Sequence, residues 1–301
     1  GDGDRVSFEV FGDPGGKPAV VVHGGPGSGC SPWWLTLFDR AAYRVVCVDQ
    51  RNCGRSTPHA STPGIDLAAN TTANLVADFE RLRAHLGIER WLVLGGSWGA
   101  TLALCYAQAH VDRVSEIVLF GVTTGRHSEF DWTFRGGLAA LFPEQWDRLL
   151  AALPAADRGG DVVEAYHRLL TDPDPAVCRR AADAWCLWES ATPEWPPSDE
   201  LSPRFTDPDY ALAFARIVTH YVRHNAWLQD GVLLRGATVL AGTPGILVHG
   251  RFDFAAPLGN AWALKRAWPR AELVVVEDAG HGASAGIDRE LRRATDRFRA
   301  A

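Results

Sequence analysis

The sequence predicts an α/β chain: an open, mostly parallel central sheet flanked by helices, with a helical block inserted between two of its strands. Short runs that are apolar throughout recur along the chain, and such runs suit strands buried on both faces of a parallel sheet. Between them lie longer stretches with helical spacing of the apolar residues, the alternation of an open α/β fold. Strand-like runs then stop between about residues 122 and 242, which predicts the inserted block.

In order, "RVSFEVFGD" (5–13) alternates and predicts an edge hairpin strand. The buried strands are "AVVVHG" (19–24), "YRVVCVDQ" (43–50), "WLVLGG" (91–96), "EIVLFG" (116–121), "GILVHG" (245–250) and "ELVVVED" (272–278). "NLVADFERLRAHLG" (74–87) sets Leu75, Phe79, Leu82 and Leu86 on one stripe, as a helix with one apolar face requires. The inserted block reads as four helices, "FPEQWDRLLAALP", "VVEAYHRLL", "AVCRRAADAWCLWES" and "DYALAFARIVTHYVRH", with joints such as "DPDP" and "TPEWPPSD". It carries six of the twelve tryptophans: Trp132, Trp146, Trp185, Trp188, Trp195 and Trp227. This block reads as a cap over the strand ends, where open α/β sheets place their sites, or as a second helical layer on the core. The expected division is a catalytic core of residues 1–121 and 243–301 with a helical cap insertion at 122–242.

The chain has 301 residues, 47% apolar and 22% charged, enough for a sizeable core. A net charge of −6 without a basic stripe argues against a nucleic-acid partner. No run approaches the roughly 20 apolar residues of a spanning helix, so no membrane partner is expected. The start "GDGDRVSFEVFGD" has no positive segment followed by an apolar one, so no signal peptide is expected. Six cysteines, at 30, 47, 53, 105, 178 and 186, show no C-x-x-C spacing and read as reduced thiols, not as a disulfide framework or zinc site. The expected setting is the cytoplasm, with no cofactor and no metal. The oligomeric state is not written in the sequence.

The chemistry centres on "GGSWGA" (95–100), which follows the run "WLVL" and precedes the helical "ATLALCYAQAH". Gly95 to Gly99 fit G-x-S-x-G, and a strand, a tight turn and a helix are the context in which such a serine projects its hydroxyl above a sheet. A serine is a poor nucleophile without a base, and the base needs an orienting acid. Acid and then histidine should follow, each after a late strand. "GILVHGRFD" supplies Asp253 and "ELVVVEDAGHG" supplies His281. His249 ends a strand and reads as structural. His220 and His224 lack the glutamate of H-E-x-x-H and read as covering a helix face. "HGGPGSG" (23–29) closes a strand with small residues whose N–H groups can approach a substrate oxygen, and the second donor should be the N–H of Trp98. No G-K-[ST] follows, which argues against a phosphate loop and leaves a plain turn as the alternative reading. Trp33 and Trp34 follow closely and read either as site lining or as packing.

With these residues in hand, the chain resembles the α/β-hydrolase fold and, within it, the proline iminopeptidase family. The resemblance rests on "HGGPG" (23–27), "DQRNCGRS" (49–56), "NTT" (70–72), "GGSWG" (95–99), "GRFD" (250–253) and "AGH" (279–281), and it runs to about Ile287. It implies a triad of Ser97, Asp253 and His281, with Gly25 and Trp98 as oxyanion donors. It also implies a small-molecule or short-peptide substrate, from which an N-terminal residue, preferably proline, is released through an acyl-enzyme. Family members hold the free amine with cap carboxylates. "WCLWE" keeps one as Glu189, but in "ARIVTHY" Val218 stands where the other would be. Losing one partner of a buried charge pair costs about 2–5 kcal/mol, so an aminopeptidase would need another acid; Asp183, Glu194, Asp199 and Glu200 are near in sequence. Asn52 replaces the glycine that usually continues the "DQR" block, and Asn tolerates a left-handed backbone. Val218 keeps open an esterase, amidase or acyl transferase acting on a small metabolite. A binder without turnover would not need Ser, Asp and His together.

Overall fold

The computed structural model describes residues 3–198 and 200–299. Seven strands, β1 (Ser7–Gly12), β2 (Lys17–Val22), β3 (Tyr43–Asp49), β4 (Trp91–Gly96), β5 (Val114–Phe120), β6 (Gly245–Gly250) and β7 (Ala271–Val276), form one sheet. Their order is β1-β3-β2-β4-β5-β6-β7, with β2 to β7 parallel and β1 antiparallel to β3. The edge position of β1 matches the alternating pattern, but the hairpin does not form. Both sides of β2 are taken by β3 and β4, so β1 pairs with β3, from Ser7 opposite Asp49 to Gly12 opposite Arg44.

The unbroken apolar runs follow from burial on two faces. Val20, Val22, Val46, Val48, Val93, Ile117, Leu119 and Leu247 face one core, together with Leu75, Phe79 and Leu82 of α1 (Thr72–His85) and the apolar residues of α2 (Trp98–Ala109). Their neighbours Ala19, Val21, Val45, Cys47, Leu92, Leu94, Val118 and Ile246 face the other core, because successive strand residues point to opposite sides.

Five helices of eight or more residues follow β5: α3 (His127–Phe134), α4 (Pro143–Ala151), α5 (Val162–Leu170), α6 (Pro175–Ala191) and α7 (Pro208–Arg223). The short α8 (Val232–Arg235) precedes β6, α9 (Gly259–Ala267) joins β6 to β7, and α10 (Ala285–Phe298) completes the second face of the sheet. The Asp- and Pro-rich joints are helix starts. Asp161, Asp174 and Asp207 accept first-turn N–H groups of α5, α6 and α7, and Pro175 and Pro208 occupy the first helical position.

Residues 122–242 pack in two ways. Leu138 to Val222 supply a separate cluster that includes Trp185 and Trp188. One face of α7 joins that cluster, while Ala213, Ile217 and Tyr221 on its other face join the sheet core. Beyond α7, Ala226, Leu233, Ala237 and Leu240 also pack on the sheet core. The helix α7 therefore fastens the inserted block to the sheet, and the chain has returned to the sheet layer before residue 242.

Candidate active site

Ser97 sits between β4 and α2 with φ +56° and ψ −128°. Such a backbone costs a non-glycine residue about 1–3 kcal/mol and persists only where its surroundings impose it. Here the imposition is the close approach of α2 to the sheet. A Cβ at Gly99 would land on the carbonyl oxygen of Val22, and one at Gly95 on the backbone of Gly99. The serine is pinned on both sides, its N–H donating to the Phe120 carbonyl (3.1 Å) and its carbonyl accepting from the Thr123 hydroxyl (2.7 Å).

Three residues far apart in sequence meet at this turn. Ser97 Oγ lies 2.8 Å from His281 Nε2, and His281 Nδ1 lies 2.7 Å from Asp253 Oδ2. The carboxylate accepts a hydrogen bond from Nδ1–H and so keeps the proton on Nδ1, which leaves the Nε2 lone pair to accept from the serine hydroxyl. Asp253 is buried, and its Oδ1 accepts the Ala256 N–H at 2.7 Å. Burial lowers the His281 pKa, but Asp253 and the more distant Glu189 carboxylate outweigh it and leave the value above that of ordinary imidazole.

His249, which reads as structural in the sequence, also reaches the acid. Its Nδ1 accepts the Val122 N–H (3.0 Å), so the proton sits on Nε2, 2.8 Å from the Ala256 carbonyl and 3.2 Å from Asp253 Oδ2. Burial holds its pKa below the usual value, so the ring is neutral. The segment between α6 and α7 touches both loops. The Pro193 carbonyl accepts the His281 N–H (2.8 Å), and Trp195 stacks on Phe252 at 4.2 Å, next to Asp253.

On the other side of Ser97 lies the loop after β2. His23 is fully buried; its Nδ1 donates to the Gly24 carbonyl (3.0 Å) and its Nε2 accepts the Gln50 N–H (3.0 Å). Gln50 in turn donates to the His23 carbonyl (2.8 Å) and accepts from the Trp98 indole (3.1 Å). The "DQR" and "HGGPG" blocks are therefore one hydrogen-bonded unit tied to the serine turn. Gly25 has φ +109°, and a Cβ there would come 2.7 Å from the Gly27 nitrogen. Trp98 opens α2, where first-turn N–H groups lack an intrahelical acceptor. Both residues line the cavity that contains Ser97. Asn52 takes φ +63°, the left-handed conformation.

The cavity has a volume of about 1070 Å³ and runs between the serine turn and the inserted helices. Glu189, in the last turn of α6, lines it and accepts the Trp185 indole N–H at 3.2 Å. Burial pushes its pKa up to about 7, against the opposing pull of Arg204, the Trp185 bond and His281. Val218 is fully buried in the cap cluster and is not part of the cavity wall. Of the acids near Glu189 in sequence, Glu194 lines the cavity, Asp183 and Glu200 are exposed away from it, and Asp199 lies outside the described residues. Arg204 and Asp207 also line it. Neither carries a sequence signal: Asp207 reads as a helix cap, and Arg204 sits in a proline-flanked joint. Trp34 is part of the wall, whereas Trp33 packs on Trp34 and Phe120. His220 Nε2 donates to the Asn70 carbonyl (3.2 Å), and the described residues contain no group of three or more metal-ligating side chains.

The raised Glu189 pKa has a cost in stability. The native state keeps a proton that the unfolded chain releases, so stability falls as pH rises from about 4.5 to about 7. Glu189→Gln escapes that loss. It is expected to be more stable than wild type by about 1–3 kcal/mol above pH ~7 and equal to it below pH ~4.5. Urea denaturation across this range checks the expectation, and a constant difference at all pH values would contradict it.

The alpha/beta hydrolase fold family model matches residues 17–285. A probable proline iminopeptidase of Streptomyces coelicolor is 52% identical over 302 residues, covering 99% of this chain and 93% of its own. The proline iminopeptidase of Xylella fastidiosa is 46% identical over 283 residues, covering 94% of this chain and 88% of its own. This chain belongs to the proline iminopeptidase family of α/β hydrolases. Among solved structures, a proline iminopeptidase from Mycobacterium smegmatis aligns with a TM-score of 0.60 at 20% identity, over 99% of this chain and 95% of that one, a likeness of fold. Among the described residues, no helix is long and apolar enough to cross a membrane.

Proposed function

We propose that this member of the proline iminopeptidase family is a serine aminopeptidase that releases an N-terminal residue, preferably proline, from short peptides. One observation carries the reading: the unbroken line Ser97 Oγ to His281 to Asp253, with links of 2.8 and 2.7 Å, beside a cavity that also contains Glu189. In this reading Ser97 attacks the carbonyl of the first residue while His281 takes its proton. The N–H groups of Gly25 and Trp98 receive the charge that develops on the oxygen. His281 then protonates the leaving amine, and water, deprotonated by the same histidine, releases the acyl group. All these roles fall to this chain's own side chains and backbone, and the reaction calls for no cofactor.

Glu189 is assigned to the substrate ammonium, because a charge leaving water needs an opposite charge nearby. Glu194 and Asp207, which line the same cavity, supply the further negative charge that Val218 does not. Within residues 122–242, the helices α3 to α7 act as the cap over this site, the chain beyond α7 having returned to the sheet layer, and the cytoplasm is the proposed setting. The alternative reading is an esterase, amidase or acyl transferase for a small metabolite. The deciding experiment compares kcat/KM for an L-proline chromogenic amide and its N-acetylated twin, on wild type and Glu189→Gln. Cleavage of the free-amine form alone, with a loss of about 30-fold or more in the variant, is expected. Amine-indifferent cleavage would move the assignment to metabolite esters and amides.

A further inference from the structure

The charged lining of the cavity is uneven. Among the described residues, Glu129, Glu189, Glu194 and Asp207 line it as acids, and Arg204 is the one lining side chain with a fixed positive charge. Two of those acids are engaged locally. Glu129 pairs with Arg126 at 2.9 Å and accepts the Thr124 and Gly125 N–H groups, while Asp207 caps α7. Arg204 is different: among the described residues it has neither an ion pair nor a hydrogen bond. Its guanidinium carbon lies 4.4 Å from the centroid of Phe205 and 5.1 Å from that of Phe214, and both rings are buried. Aromatic contacts of this kind hold a guanidinium by its face and leave its in-plane N–H fork directed outward, the geometry that matches a carboxylate.

We propose that Arg204 binds a carboxylate on the leaving-group side of the substrate, foremost the C-terminal carboxylate of a dipeptide. The inference rests on the aminopeptidase reading above. A dipeptide carries an ammonium on one side of its only peptide bond and a carboxylate on the other, and two residues span at most about 7 Å. A cavity with Glu189 for the amine and, for the opposite charge, a guanidinium that acts on Glu189 through space but is in no ion pair among the described residues is complementary to that zwitterion. A longer peptide places its terminal carboxylate farther away and loses the contact, unless its second residue is acidic. Arg204 thereby sorts substrates by length and by charge at the second position.

The test measures kcat/KM for Pro-Gly, Pro-Gly-amide and Pro-Asp-amide on wild type, Arg204→Met and Arg204→Lys. Wild type should favour Pro-Gly over Pro-Gly-amide. Arg204→Met should lose about 5- to 50-fold more on Pro-Gly than on Pro-Gly-amide, the loss common to both reporting folding, chemistry and the pull of Arg204 on Glu189. Arg204→Lys should recover part of the loss, since it restores the charge but not the fork. A preference for Pro-Asp-amide that also vanishes in Arg204→Met would show that a side-chain carboxylate is read as well as the terminal one. Equal losses on Pro-Gly and Pro-Gly-amide, or no loss on either, would overturn the role of Arg204 and leave the aminopeptidase reading standing. Failure of wild type to cleave any of the three would overturn both.

Discussion

Ser97→Ala is expected to lower kcat by about 10⁴- to 10⁶-fold. The size follows from what the hydroxyl does in the proposed mechanism. It forms the covalent bond, and its proton is the one that His281 Nε2, 2.8 Å from Ser97 Oγ, is placed to take in the first step. Residual activity above the uncatalysed reaction should remain, since the N–H groups of Gly25 and Trp98 are untouched by the substitution. Stability should change little, because the backbone strain at φ +56° belongs to alanine as much as to serine. Two measurements separate loss of chemistry from loss of fold. The variant should no longer react with a fluorophosphonate probe, and its thermal midpoint should stay within about 2 °C of wild type. Persistent labelling at another residue would remove Ser97 from the mechanism.

Asp253→Asn should cost about 10⁴-fold in kcat, and the local hydrogen bonds say why. The Ala256 N–H donates to Oδ1, and the His249 Nε2 proton lies 3.2 Å from Oδ2. An asparagine has one acceptor oxygen, and the short Ala256 bond claims it. Its NH₂ group then replaces Oδ2 and faces His281. The imidazole must accept there with Nδ1, so its proton moves to Nε2 and points at Ser97, the tautomer that cannot act as base. Loss of the carboxylate also removes the principal influence that raises the His281 pKa. The acid limb of the kcat/KM profile should therefore shift to lower pH, even as the plateau collapses. A variant with reduced activity but an unmoved acid limb would mean that the limb reports another group, Glu189 first among them.

Much of this was legible because the signals are local. Both-face burial makes a strand uniformly apolar, so β2 to β6 stand out in the sequence; a sharp turn between strand and helix demands small neighbours, so Ser97 stands out too. Asp253 and His281 could be picked from many acids and ten histidines because each follows a strand whose end must lie at the same edge of the sheet. What escaped depends on contacts between distant segments. Nothing near β1 says that its partner is β3. His249 looks like the end of a strand until the Asp253 loop folds back over it. The joints of the inserted block read as linkers, so nothing singled out Arg204 and Asp207 as cavity residues. Val218 was the reverse case: its position within a family segment pointed to the cavity, but that side of α7 packs into the cap cluster.

The hydrogen bond from the His281 N–H to the Pro193 carbonyl has a consequence for turnover. The stretch that roofs the cavity is also the bracket on which the base is mounted, with Trp195 laid against Phe252 beside the acid. A shift of this stretch would carry the His281 backbone with it, so the placement of the imidazole against Ser97 is tied to the position of the residues that cover the cavity.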